Sequence, residues 1–413
     1  MPNESWIPVP PDSPFPISNL PYGVVTYPES HGPHVAVAIG DQVADLAAIA
    51  AFGLLDGVIG DPSQVFGAAT LNAFMACGRA TWSETRQRLV ELLTNTQFRS
   101  RVEPALVPRS EVTNQLPFEV ADYVDFYSSE QHAHNVSQIF RPESPQLPEN
   151  WKYLPIGYHG RAGTVVVSGT PIVRPQGQRR PRGADHPTFG PSQRLDIEAE
   201  VGFVVGTPSQ LGSPVSTTSF REHVFGVVLV NDWSARDIQA WEYVPLGPFL
   251  GKSFATSVSP WVVPLDALEQ ARVSLAAQDP AVFDYLKDPD TWCLDVSLEV
   301  QLNGTVVSRP PFSSQYWSPG QQLAHLTVNG ASLRTGDLYA SGTVTGLGRD
   351  QRGSFLELSW GGTEPFVLAD GQQRTFLLDG DTVSITGWAP GTAGTRIGFG
   401  SVDGVVIAND SAS

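Results

Sequence analysis

Residues 224–230, VFGVVLV, carry no polar side chain, and this run constrains the fold more than any other segment. A strand that is apolar at every position, rather than at every second one, has to be covered on both faces. The chain must therefore lay protein on either side of at least one sheet. Further short segments read as strands from their alternation and the turn residues that bound them: 22–27, 34–39, 164–168, 199–205, 295–302, 355–360 and 382–386. Between 298–302 and 305–307 stands Asn303-Gly304, a pair suited to a two-residue hairpin turn with positive φ at both central positions. The 39 glycines and 35 prolines among 413 residues fit many turns and short strands better than a helical bundle. The fold expected is mainly β, in roughly two to three domains' worth of chain.

The amino end, residues 1–22, reads as an extended arm. A mixed apolar stretch follows Asp41 and runs to Leu55. TWSETRQRLVELLTNT at 81–96 reads as a helix, with Thr81 and Glu84 at capping-box spacing and Trp82, Leu89 and Leu93 sharing a face. Residues 101–118, punctuated by Pro104, Pro108 and Pro117, read as a linker, which puts a domain boundary near 118. Beyond 119 only SARDIQAWE and PGQQLAHL look helical. The arginine-bearing stretch 176–194 reads as a polar loop.

The formal net charge of −17 gives no general attraction to nucleic acid or to anionic membranes. An anionic substrate would need a local positive pocket. Two cysteines, Cys77 and Cys293, do not make a disulfide framework or a thiolate metal site. The first residues lack a signal pattern, and apolar stretches such as 46–55 fall far short of a membrane span. A reducing, cytoplasmic setting is expected.

Three segments carry candidate chemistry. In LDIEAEVGFVV, strand alternation puts Asp196, Glu198 and Glu200 on one face. Such a row repels itself, so the face is either solvated or neutralised by a cation. In VFGVVLVNDWSARD, Asp232 leaves the end of the apolar strand; it is either fixed there as a site residue or, with Ser234, a helix cap. DYVDFYSSEQHAHNV mixes acids and tyrosines with His132 and His134. Either imidazole could serve as a base near neutral pH, and spacing does not choose between them. Carboxylates without nearby thiolates suit a hard cation, Ca²⁺ or Mg²⁺, rather than zinc. GxSxG, HExxH and P-loop motifs are absent.

Taken together, DYVDFYSSEQHAHNV, LPIGYHGRAGTVVVSGTPI, LDIEAEVGFVVG, VLVNDWSARDIQAWEYVPLGPFLGKSFATSVSPWVVP and LYASGTVTG resemble the fumarylacetoacetate hydrolase family. FPISNLPYGVV and VAIGDQVADL resemble that family's first domain, and the likeness runs to RTFLLDGDTVSITG. It thins at 142–150, 176–194 and 270–292. The resemblance implies a small amino-terminal SH3-like β-barrel domain, residues 1–118, followed by a larger β-roll catalytic domain, residues 119–413, assembled as a homodimer. It implies hydrolysis of the carbon–carbon bond of a small diketo acid, 4-fumarylacetoacetate, to fumarate and acetoacetate, the last step of tyrosine and phenylalanine breakdown.

Carried over by motif, the ligands of Ca²⁺ and/or Mg²⁺ fall on Asp125, Glu198, Glu200 and Asp232. A further cation site falls on Asp232, Lys252 and Thr256. The general base falls on His132, supported by Glu357, with Lys252, Arg236 and Gln239 also in the catalytic set. Substrate contacts fall on Tyr127, Arg141, Tyr158, Gln239, Tyr243 and Thr343. The alternatives are a related hydrolase or decarboxylase, such as an acylpyruvate hydrolase or an oxaloacetate decarboxylase, and a non-catalytic binding protein on the same fold. The former resemble only the second domain. The latter would be expected to have lost part of a set that is complete here.

Overall fold

The apolar run forms the middle of a thirteen-stranded sheet in the computed structural model, which describes residues 4–28, 30–181 and 183–409. Sequence readings that fall on residues 1–3, 29, 182 and 410–413 lie outside the described residues. The strand extends two residues past the apolar run, Val224–Asp232, and all nine positions are buried. Its antiparallel neighbour Ala199–Val205 is buried throughout as well. Alternate side chains explain why. Val227 and Leu229 enter one apolar cluster with Leu298, Ile385 and Val402, while Val228 and Val230 enter another with Val24, Val37, Ile49 and Leu89. Each such side chain removed from water contributes about 1.5–3 kcal/mol, so both faces of the strand are held by packing.

The order across the sheet is Leu106–Pro108, Gln42–Asp45, His34–Ile39, Tyr22–Thr26, Trp261–Pro264, Val224–Asp232, Ala199–Val205, Leu338–Ala340, Tyr123–Phe126 and Gly157–His159, with three short strands paired off this path. The strands of the amino-terminal third join the rest through Tyr22 opposite Val262. Their pairings do not close into a barrel among the described residues. A second, five-stranded sheet contains Ser297–Leu302, Thr382–Pro390 and Arg396–Ile407. The architecture is mainly β with mixed sheets, since parallel pairs join Leu338–Ala340 to Tyr123–Phe126 and Thr256–Val258 to Val165–Val167. The Asn303-Gly304 hairpin is present, with φ of 50° and 74° and Leu302 opposite Thr305.

Several local expectations are corrected. Residues 4–20 run through turns and bury Ile7, Phe15 and Leu20, so they are not a free extended arm. The mixed apolar stretch contains a helix, Leu46–Ala51, capped by Asp45. The long helix starts earlier than expected, Arg79–Thr94, with Gly78 at its N-cap and no side-chain cap, so Thr81 and Glu84 lie inside it and form no capping box. The stretch 101–118 is not a bare linker: Leu106–Pro108 and Thr113–Asn114 pair with the amino-terminal strands. Nor is 176–194 a loop, because Gln176–Arg179 and Thr188–Pro191 form a hairpin. Within 270–292 and just beyond, Arg272–Ser274 pairs with Trp292–Leu294. Three α-helices among the described residues were not foreseen after 119, Glu130–Phe140, Phe220–His223 and Phe355–Leu358; the last replaces an expected strand.

Candidate active site

Strand register assembles the site. Asp232 ends its strand directly opposite Thr256, and Ala199 lies opposite Asn231, so Glu198 and Glu200 flank the same strand end. On the far side, Ala340 pairs with Asp125, and Asp125 with Tyr158. Three strands, Tyr123–Phe126, Ala199–Val205 with Glu198 just before it, and Val224–Asp232, thus deliver Asp125, Glu198, Glu200 and Asp232 to one end of the sheet. One oxygen from each lies within 4.8 Å of the others, and all four residues are buried. The expectation for Asp196, Glu198 and Glu200 is corrected in part. Asp196 sits on a separate short strand, Leu195–Asp196, and does not join the cluster. The capping alternative for Asp232 also fails, because the next helix, Arg236–Glu242, has Ala235 at its N-cap and no side-chain cap.

The electrostatics of this cluster ask for positive charge. Burial first, then neighbouring Asp232, pushes the Asp125 carboxyl well above the ordinary carboxylate range. Burial and Asp125 do the same to Glu200. Burial also penalises Glu198, but Lys252, Arg236 and His132 outweigh it and hold that carboxyl below its ordinary range. The Lys252 ammonium donates to Glu198 and, at 2.9 Å, to Asp232, while Tyr158 and Thr256 donate to Asp232 at 2.8 and 3.1 Å. The backbone amide of Gly342 donates to Glu200 at 3.1 Å. Gly342 sits at φ 78°, and a Cβ there would collide with the Phe126 carbonyl, so the approach needs glycine. Asp125 Oδ1 and Glu200 Oε1 remain buried without a partner. Buried acceptors left bare in an all-oxygen set fit a hard divalent cation, which would displace protons from the raised carboxyls. Lys252 does not fit as a ligand through its side chain. Burial opposes its charge, yet Asp232 and Glu198 more than compensate, and a protonated Nζ has no lone pair to offer.

His132 approaches from the helix Glu130–Phe140, whose first turn is capped by Ser129. Its Nδ1 lies 2.7 Å from Glu357 Oε2 and its Nε2 3.9 Å from Glu198 Oε1. A carboxylate only accepts, so Nδ1 carries the proton and the lone pair of the neutral ring sits on Nε2, toward the cluster. Glu357 is fixed in turn by Asn135 at 2.9 Å, Ser354 at 2.7 Å and Thr345 at 3.1 Å. Burial works against its charge, but His132, Asn135 and Ser354 hold it below the ordinary range. Two residues along, His134 is exposed and stands 3.7 Å from Glu130. The helix separates two imidazoles that sequence spacing could not.

Arg236 is buried between Asp196 and Glu198, and its Nη1 donates to Gln239 at 3.3 Å. Tyr127 packs edge-on against His132, with ring centroids 5.3 Å apart. Thr343 is buried beside Gly342, and its hydroxyl has no partner. A cavity of about 270 Å³ lined by Tyr158, Arg161, Phe249 and Lys252 opens at the cluster. A larger cavity of about 710 Å³ between 214–218 and 284–289 is bordered by none of these residues. Arg141, at the end of the His132 helix, and Tyr243, at the end of the Arg236 helix, are exposed, and no hydrogen bond or ion pair of their side chains to the cluster is found. Sequence reasoning missed Asn135, Ser354, Thr345 and Gly342 as site residues, although Asn135 stands in DYVDFYSSEQHAHNV and Gly342 and Thr345 in LYASGTVTG, segments already singled out.

Known proteins match nearly the whole chain. The family described as fumarylacetoacetate (FAA) hydrolase C-terminal matches residues 122–407, and fumarylacetoacetase N-terminal matches 18–117. Human fumarylacetoacetase is 49% identical, with 98% of each chain covered, and the Arabidopsis thaliana enzyme is 46% identical over the same shares. Among solved structures, a fumarylacetoacetate hydrolase from Exiguobacterium antarcticum superposes with a TM-score of 0.54 at 16% identity, covering 94% of this chain and 100% of that one, a likeness of fold.

Proposed function

The chain belongs to the fumarylacetoacetase family, and from that premise we infer that it hydrolyses the carbon–carbon bond of 4-fumarylacetoacetate to fumarate and acetoacetate. The observation that carries the reading is a buried cluster of four carboxylates, two with bare oxygens, beside a buried His132–Glu357 pair. Asp125, Glu198, Glu200 and Asp232 would hold the cation, Ca²⁺ or Mg²⁺. When bound, it supplies Lewis-acid polarisation of the diketone oxygens.

The chain's own groups do the rest. His132 takes a proton from water at Nε2, and Glu357 fixes the tautomer and stabilises the imidazolium. The oxygen of that water bonds to the fumaroyl carbonyl carbon; the C–C bond then breaks, and its electron pair leaves as the acetoacetate enolate. Lys252, Arg236 and Gln239 offset that charge, and the His132 proton completes acetoacetate. Arg141 offers a fork suited to a substrate carboxylate, with Tyr127, Tyr158, Tyr243 and Thr343 as further contacts. This resolves how an acidic chain takes an acidic substrate: the positive charge is local. In the same reading, any second cation would be held beside Asp232 and Thr256, with the charged Lys252 ammonium not among its ligands. The amino-terminal segment to 118 is read as an SH3-like domain, 119–413 as the β-roll domain, and the working unit as a cytoplasmic homodimer. No described helix is long and apolar enough to cross a membrane.

The test is to offer 4-fumarylacetoacetate, an acylpyruvate and oxaloacetate to the purified enzyme under one set of conditions. The reading expects kcat/KM for 4-fumarylacetoacetate to exceed the other two by at least about 10²-fold. Faster turnover of either rival substrate overturns it.

A further inference from the structure

Of the three acids that alternate along 196–200, one stays outside the cation cluster, yet it is as deeply buried as the others. Asp196 is wholly enclosed. Both of its oxygens are committed. Oδ1 accepts from the amides of Ile197 and Phe355, each at 2.8 Å. Oδ2 accepts from Arg236 Nε at 2.8 Å and from the Leu356 amide at 3.0 Å.

Those partners belong to two different parts of the site. The Phe355 and Leu356 amides open the helix Phe355–Leu358, whose next residue is Glu357, the carboxylate that orients His132. Arg236 opens the helix that carries Gln239, and its Nη2 lies 2.8 Å from Glu198 Oε1. Asp196 is itself pinned by strand pairing to Ser234, two residues before that arginine. A single carboxylate thus ties the segment that aims the imidazole to the segment that aims the guanidinium.

Stability alone is a poor account of it. A buried ion pair gains little over well-packed apolar residues of similar volume, because both charges must leave water. What the charge does supply is geometry: a planar acceptor that fixes the guanidinium and two amides at once. We propose that Asp196 is a positioning residue that holds the Glu357 helix and Arg236 in mutual register, so that proton transfer and charge stabilisation are aligned on one substrate. The inference rests on the roles given above to His132, Glu357 and Arg236.

Asp196→Asn keeps the size and one acceptor but turns an amide NH₂ toward two of the four donors. Steady-state kinetics well below the melting temperature should show kcat lower by about 10–100-fold, the usual cost of losing a group that orients a catalytic one, together with a raised KM through Arg236. On a Glu357→Gln background the same substitution should lower kcat by less than about threefold further, because the two act on one step. A merely structural role would lower the melting temperature but leave kcat and KM of the folded enzyme unchanged, and losses that multiply with those of Glu357→Gln would mean that Asp196 acts apart from that residue; either result overturns the proposal. If Glu357→Gln alone leaves kcat intact, the His132–Glu357 reading falls and the proposal falls with it, which separates that failure from the first. Should Asp196→Asn fail to fold, Asp196→Glu, which keeps the charge and displaces it by one methylene, decides: reduced kcat supports the positioning role, and wild-type kinetics overturn it.

Discussion

Replacing His132 with Gln separates proton transfer from everything else the site does. The imidazole is buried, and its two nitrogens have separate duties: Nδ1 is bound to Glu357 at 2.7 Å and Nε2 faces the carboxylate cluster. A Gln amide fills similar volume and can still donate to Glu357, so the network that fixes Asn135, Ser354 and Thr345 around that carboxylate survives. Loss of one neutral hydrogen bond's worth of fit costs about 1 kcal/mol of stability. The lone pair at the Nε2 position is lost entirely. Removing a general base lowers kcat by about 10²- to 10⁴-fold, or about 2.7–5.4 kcal/mol of transition-state stabilisation. His134→Gln is the control. Its ion-pair contact is with the half-buried Glu130, at 3.7 Å, a near-surface contact worth about 0–1 kcal/mol, so kcat should stay within about twofold. The assay is the fall in ultraviolet absorbance of fumarylacetoacetate, paired with calorimetric titration of the cation, which both variants should still bind. A His132→Gln enzyme with near wild-type kcat, or a His134→Gln enzyme that is the more impaired, refutes the assignment.

Further outcomes follow from the same contacts. Asp232→Ala strips the partner from Lys252, Tyr158 and Thr256 at once and should cost about 3–5 kcal/mol in chemical denaturation as well as abolishing cation binding. Gly342→Ala forces a side chain into a positive-φ position against the Phe126 carbonyl and should pull the amide from Glu200, weakening cation affinity by at least about tenfold in calorimetry. In the cation-free protein Asp125 and Glu200 have raised carboxyls, so the folded state keeps protons that the unfolded chain has released. That contribution to stability is present at and below the ordinary carboxylate range and is lost as pH rises through the raised values. Added Ca²⁺ should therefore raise the melting temperature more at about pH 8 than at about pH 5.5, whereas unperturbed carboxylates, ionised at both, would give about the same rise.

The sequence was most legible where burial on both faces left a one-dimensional mark. The VFGVVLV run announced a central strand because Val224, Val227 and Leu229 enter one core and Phe225, Val228 and Val230 another. Asn303-Gly304 announced its hairpin because only a few residue pairs tolerate positive φ twice. Legibility failed where a distant partner decided the local structure. SFLELSW alternates like a strand, but the Asp196 carboxylate on two of its amides and the Ser354 cap wind it into one helical turn. EQHAHNVSQIF is too polar to advertise a helix, yet Ser129 caps it and the turn buries His132 while exposing His134. The arginines of 176–194 read as a solvated loop because nothing local reveals that Gly177 packs on Ile238. Of the row Asp196, Glu198, Glu200, alternation alone could not tell the two cluster members from the residue that holds Arg236.

The central claim is that the four-carboxylate cluster works with a bound divalent cation to cleave fumarylacetoacetate. The direct measurement follows the absorbance of that substrate with enzyme as purified, after exhaustive chelation verified by elemental analysis, and after return of Ca²⁺ or Mg²⁺. The account predicts turnover in the first sample, loss of at least about 10²-fold in the second, and recovery in the third. Full activity in the verified cation-free sample would contradict it.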